Sequence, residues 1–195
     1  MNVISNILYW ISTGLLVPVI VLLIFFFIRV IILIGAFFGQ YMREKRTTER
    51  LYGEITALTP ETLKEFKAKL PEKSDALIDV YARKIIDCGS NQAMADLLLS
   101  EYEVAADKNI ATSKVLTKMG PILGLMGTLI PMGPALVGLA TGDIASMAYN
   151  MQVAFATTVV GLVVSAIGFL TQQAKERWAV KNLTVLEFLA QISAK

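Results

Sequence analysis

A chain of 195 residues with 55% hydrophobic and only 17% charged residues, and a mean hydropathy of +0.59, is too apolar for an ordinary soluble domain and reads as an all-α membrane protein. A formal net charge of +2 is too mild to hold a nucleic-acid backbone, so no nucleic acid is expected as a partner. The chain has no histidine and one cysteine, Cys88, which leaves no intramolecular disulfide, no metal centre and no expected cofactor; Cys88 reads as a packing residue.

In chain order, residues 1–14 are uncharged and lack the basic start and small-residue cleavage site of a signal peptide, so the apolar run that follows is expected to stay as an anchor. The first span covers 15–38, the second 119–140 and the third 144–172, each long enough for a hydrocarbon core of ~30 Å. Of 18 Lys and Arg, 13 lie between Arg43 and Lys118 and four follow the third span, whereas residues 1–14 and the turn at 141–143 carry none. The positive-inside rule then sets the N-terminus outside and the C-terminus in the cytoplasm of a multi-pass protein of the cell (inner or plasma) membrane. Tyr9, Trp10 and Trp178 suit the two interfaces. Arg29 falls within the first apolar run and either snorkels to the headgroups or meets lipid or another subunit.

The cytoplasmic region, 39–118, mixes its charges evenly, with 13 acidic and 13 basic residues between 43 and 118, as solvated helix faces do. Thr59-Pro60-Glu61 opens a helix that Pro71 ends, and Ser74 opens a second that closes at Gly89. No proline then occurs until Pro121, and Met94, Leu97, Leu98, Glu101 and Ala105 keep helical spacing, so one helix is expected to run unbroken into the second span. The third span is expected to continue through 173–195, where Trp178, Leu183, Leu186 and Leu189 form an amphipathic pattern.

The two later spans carry matching stripes. Gly120, Gly124, Gly127, Pro131, Pro134 and Gly138 recur at intervals of three and four, and so do Ala154, Thr158, Gly161, Ser165, Gly168 and Gln172. Small residues at this spacing let helices pack closely, and hydroxyls among them also suit an ion path. Gly120, Gly124, Gly138 and Gly168 are read as packing positions; Thr128, Thr157, Thr158, Gly127, Pro131, Gly161 and Ser165 are read as lining the path. Pro131 and Pro134 give no N–H to the carbonyls of Gly127 and Ile130, so the second span is expected to kink there beside Thr128. Neither span holds Asp, Glu, His, Lys or Arg, so if the chain conducts protons the titrating group must come from another chain; Asp143, at the turn, reads as a helix-cap or solvated residue.

The elements G-L-x-G-T at Gly124–Thr128 and A-T-T-x-x-G-L at Ala156–Leu162, with KERW after them, resemble the MotA/TolQ/ExbB proton channel family over about the last 80 residues. The prolines of LIPMGPAL give the sequence the look of an archaeal or otherwise divergent branch, and a cytoplasmic segment of 76 residues favours the ExbB/TolQ side. The resemblance implies a homopentameric ring in membrane lipid, with second and third spans around a central pore. It also implies a dimeric ExbD, TolR or MotB-like partner whose single span carries an essential aspartate, with Thr128 and Thr158 near that carboxylate. The implied activity is ion-motive-force-driven energy transduction or mechanical work, by H+ or Na+, since hydroxyls and carbonyls suit both. The alternative is a partner-free scaffold or passive channel whose glycine stripes serve packing alone. A membrane enzyme is disfavoured by the lack of a nucleophile with a base, a metal-ligand cluster or a phosphate loop.

Overall fold

The computed structural model describes residues 2–55, 62–71 and 76–194; the helix starts expected at Thr59–Glu61 and Ser74 fall outside these. The elements are α1 (Asn2–Gly14), α2 (Leu16–Ile55), α3 (Leu63–Lys69), α4 (Leu77–Cys88), α5 (Gln92–Thr141) and α6 (Ile144–Ser193), with no strand among the described residues. Among the described residues three helical ranges, Ile7–Lys45, Gln92–Thr141 and Ile144–Ser193, are long enough and contain a window apolar enough to cross a membrane. The chain is thus an all-α, multi-pass membrane protein. α5 runs unbroken through Pro121, Pro131 and Pro134. α1 was not anticipated, because residues 1–14 lack a cap or a charge pattern; it leads into α2 across Leu15, whose N–H bonds the carbonyls of Ile11 and Ser12 at 3.1 Å.

By its internal contacts the chain divides into two compact units, Met1–Gly35 with Thr112–Gln172, and Ala36–Ala111 with Gln173–Lys195. In the first, one stripe of α2 packs on the α5–α6 hairpin. Val19 and Leu23 meet Leu123, and Val30 and Leu33 meet Leu116 and Val164. With Phe26, which packs against both groups, the α2 positions recur at steps of four, three, four and three, as one helical face must. Arg29 stands off that face, exposed, with its guanidinium 5.9 Å from the Phe25 ring. Its neighbour Val30 packs on Leu116, just before the apolar stretch of α5 begins, so Arg29 is level with an end of that stretch and not its middle. That placement favours snorkelling.

The second unit has a conventional aliphatic core. Ile78, Ala82 and Ile85 of α4, spaced four and three apart, meet Leu63, Phe66 and Leu70, and with them Leu98, Tyr102, Leu186 and Leu189. Burying each large side chain contributes about 1.5–3 kcal/mol. Leu70 is extended (φ −69°, ψ 131°) because the following Pro71 disfavours helix, and Gly89 (φ 53°) closes α4 in a conformation that a side chain resists. Cys88 packs against this core, its thiol donating to the Lys84 carbonyl at 3.1 Å.

Candidate functional site

The hairpin of α5 and α6 is held by the absence of side chains. A Cβ on Gly120 would stand 2.6 Å from the Gly161 carbonyl oxygen, and one on Gly161 would stand 2.6 Å from the Gly120 oxygen and 2.8 Å from the Gly124 Cα. Gly127 is closed by Thr157, Gly138 by Asp143 and Met147, and Gly168 by Leu116 and Thr117. Each step along α5 toward the turn is matched by a step back along α6, so one antiparallel register holds from Leu116 to Met147. The prolines of α5 do not interrupt it. The packing glycines therefore meet α6 or α5 of the same chain, and Gly127, Gly161 and Ser165, read as lining a path, lie in this same contact. Pro131 is fully buried.

Backbone proximity follows from the lipid environment. Apolar side chains gain nothing by leaving lipid for each other, so close van der Waals contact and hydrogen bonds must hold the helices together. Ser165 shows how. Pro121 has no N–H for the Thr117 carbonyl, and the Ser165 hydroxyl donates to that oxygen at 2.9 Å from the neighbouring helix. One level away, the buried Thr171 and Ser113 hydroxyls meet at 3.2 Å. Asp143 caps α6, its carboxylate accepting from the Ser146 N–H at 3.0 Å, in keeping with its place at the turn.

Three threonine hydroxyls share one level of the hairpin. Thr157 is 7% exposed and enclosed against Gly127, its hydroxyl donating to the carbonyls of Val153 and Ala154 at 3.0 and 2.9 Å. Thr158 and Thr128 are half-buried. The Thr158 hydroxyl is 3.1 Å from the Ala154 carbonyl and 3.4 Å from that of Gly124 across the interface; Thr128 donates to Leu125 at 2.7 Å. Thr128 thus serves Leu125 and not the proline-freed carbonyls of Gly127 and Ile130. Because each hydroxyl hydrogen is directed to backbone, what Thr128 and Thr158 offer outward is oxygen lone pairs. At ~1.5 Å per residue they stand about 14 Å from Met119, near the middle of the apolar stretch.

The two charge-free spans of this hairpin, packed through backbone and bearing hydroxyls at mid-depth, lie inside the part of the chain that comparison matches. The model of the MotA/TolQ/ExbB proton channel family matches residues 70–187. The chain belongs to that family. The match takes in the whole hairpin and also reaches back through α4 and the first part of α5, well before the Gly120 motif at which the sequence resemblance begins. Membership of the MotA/TolQ/ExbB family accords with a membrane protein of the proton-channel type. A comparison with curated proteins finds no match.

Proposed function

We propose that this chain is the pore-forming subunit of an ion-motive-force-driven complex, with its N-terminus outside and its C-terminus in the cytoplasm, assembled as a homopentamer around a dimeric, single-span, Asp-bearing partner. The observation that carries this reading is the pairing of mid-span threonine hydroxyls with two spans, 119–140 and 144–172, devoid of Asp, Glu, His, Lys and Arg. Such a wall can receive a protonated carboxyl but cannot itself carry the proton. The lone pairs of Thr128 and Thr158 accept a hydrogen bond from a neutral Asp and offer its ionised form nothing in return. The wall therefore favours the protonated partner, and release of the proton to the cytoplasm restores a charge that it repels.

Each proton falling through ~100 mV supplies about 2.3 kcal/mol, available to move the partner against the ring. The large exposed faces of the hairpin, including Leu125, Leu129, Phe155, Val159 and Leu162, suit neighbouring copies and lipid. The transported ion is H+, with Na+ the alternative that the same oxygens admit. Thr158→Val removes the hydroxyl and keeps the volume. Proton uptake into vesicles holding the complex is expected to stop while the assembly survives purification; full uptake by this variant contradicts the role given to Thr158.

A second reading, a partner-free scaffold or passive channel, draws on the close packing of Gly120, Gly124 and Gly161 within one chain. It predicts that no Asp-bearing single-span protein accompanies the chain.

A further inference from the structure

Lys175, on α6 in the unit of residues 36–111 and 173–195, is a buried cation that the hairpin does not use. It is 8% exposed, and its ammonium donates to the Asn109 carbonyl at 3.2 Å. Among the described residues it forms no ion pair, so two of its three donors are left without a protein acceptor. Desolvation by burial pushes its pKa below the usual lysine range, as expected for a buried ammonium short of counter-charge.

The same side chain lines a cavity of ≈170 Å³, far above the roughly 10–15 Å³ that one water needs and roomy enough for a tetrahedral oxyanion. Arg43 adds a second positive charge to the wall. Among the described lining residues the one carboxylate is Glu44, whose Oε2 accepts from the Asn182 amide on the same wall at 3.3 Å. Burial holds the Glu44 carboxyl above its ordinary range, reinforced by Asp79 and opposed by the Asn182 hydrogen bond and by Arg43. Tyr102, pushed up to about 12 chiefly by burial, keeps its phenolic proton at neutral pH. The described wall thus carries two cations, Lys175 and Arg43, against one carboxylate.

We propose that this cavity is a binding site for a phosphate oxyanion, with Lys175 as its principal ligand. An anionic phospholipid headgroup is the favoured source. Gln40 and Lys175 follow the apolar spans ending at Phe38 and Gln172 by less than one helical turn. Trp178, on the cavity wall, stacks on Phe37 with ring centroids 5.4 Å apart and lies 5.9 Å from Tyr41, an aromatic cluster of the kind found at headgroup level.

The test uses the full-length protein stripped of lipid in dodecyl maltoside, a detergent without phosphate, with lysine acylation read by mass spectrometry. Phosphatidylglycerol is expected to slow acylation of Lys175 about tenfold, the weight of one charge-assisted hydrogen bond, and to leave the exposed Lys181 unchanged. Inorganic phosphate giving the same protection without lipid keeps the site and overturns the headgroup as its source. In native mass spectra, Lys175→Gln is expected to lose retained phosphatidylglycerol while Lys181→Gln keeps it. Equal acylation of wild-type Lys175 with lipid, with phosphate and with neither overturns the proposal, whether or not the variant folds.

Discussion

The two compact units of this chain solve the packing problem in opposite ways. Where α5 and α6 form the hairpin, the contact is made of Gly120, Gly124, Gly161 and Gly168, and backbone approaches backbone. Around α3 and α4 the contact is made of Leu63, Phe66, Ile85, Leu186 and Leu189, and side chain meets side chain. Water drives the second arrangement, since each large apolar group gains by leaving it. Lipid offers no such gain, so the hairpin relies on close approach and on hydroxyls such as Ser165 that satisfy orphaned carbonyls. The difference has a functional consequence. A contact without large side chains leaves the threonine oxygens and the proline-freed carbonyls of Gly127 and Ile130 as polar groups at that depth.

The strongest way to break this comparison is to place a side chain where the hairpin has none. Gly161→Leu puts atoms into the Gly120 carbonyl and is expected to destabilise the hairpin by more than about 3 kcal/mol, read as loss of folded protein in a bicelle unfolding assay. A tolerated leucine there means that the two helices are not held by backbone contact. In the other unit the reverse change matters. Leu186→Ala, at a fully buried position, is expected to cost about 3 kcal/mol through lost transfer energy and a cavity, measured by chemical denaturation. A smaller step sharpens the hydrogen-bond argument. Ser165→Ala should cost about 1 kcal/mol, and clearly less in a Pro121→Ala background, where the helix supplies its own donor to Thr117. Equal costs in both backgrounds contradict the assignment.

The smallest effect concerns Glu44. Its folded pKa lies above the unfolded value of 4.5, chiefly through burial, so the stability it contributes is full below that value and is lost as pH rises through the folded pKa. Glu44→Gln mimics the neutral form. The variant is expected to melt above wild type at pH 7, with the gap closing as pH falls toward 4.5; a gap independent of pH shows that ionisation of Glu44 is not its cause.

Much of the layout was legible because its signals are local. The apolar runs, the Gly89 stop, the Asp143 cap and the path of α5 from Gln92 into the second span follow from composition, φ preferences and the absence of proline between Gln92 and Pro121. The helix at Asn2–Gly14 was not, since an uncharged apolar segment without caps carries no boundary signal. The stripes were legible as stripes, but which neighbour they face depends on register, and that is set by contacts between residues some forty positions apart, such as Gly120 with Gly161. The role of Ser165 was missed for the same reason. Pro121 announces an orphaned carbonyl at Thr117, yet only the register brings Ser165 to it. Lys175 left no sequence signal at all, because burial of one cation among four downstream of the third span depends on the assembled unit.

The central claim is that this chain supplies the wall of an ion path and lacks the carrier. Native mass spectrometry of the complex, gently extracted from its own membrane through a tag on this chain, tests that claim most directly. The account predicts a homopentamer carrying a dimer of a single-span protein with an aspartate inside its span. A homo-oligomer that comes away alone, and still conducts protons in vesicles, contradicts it.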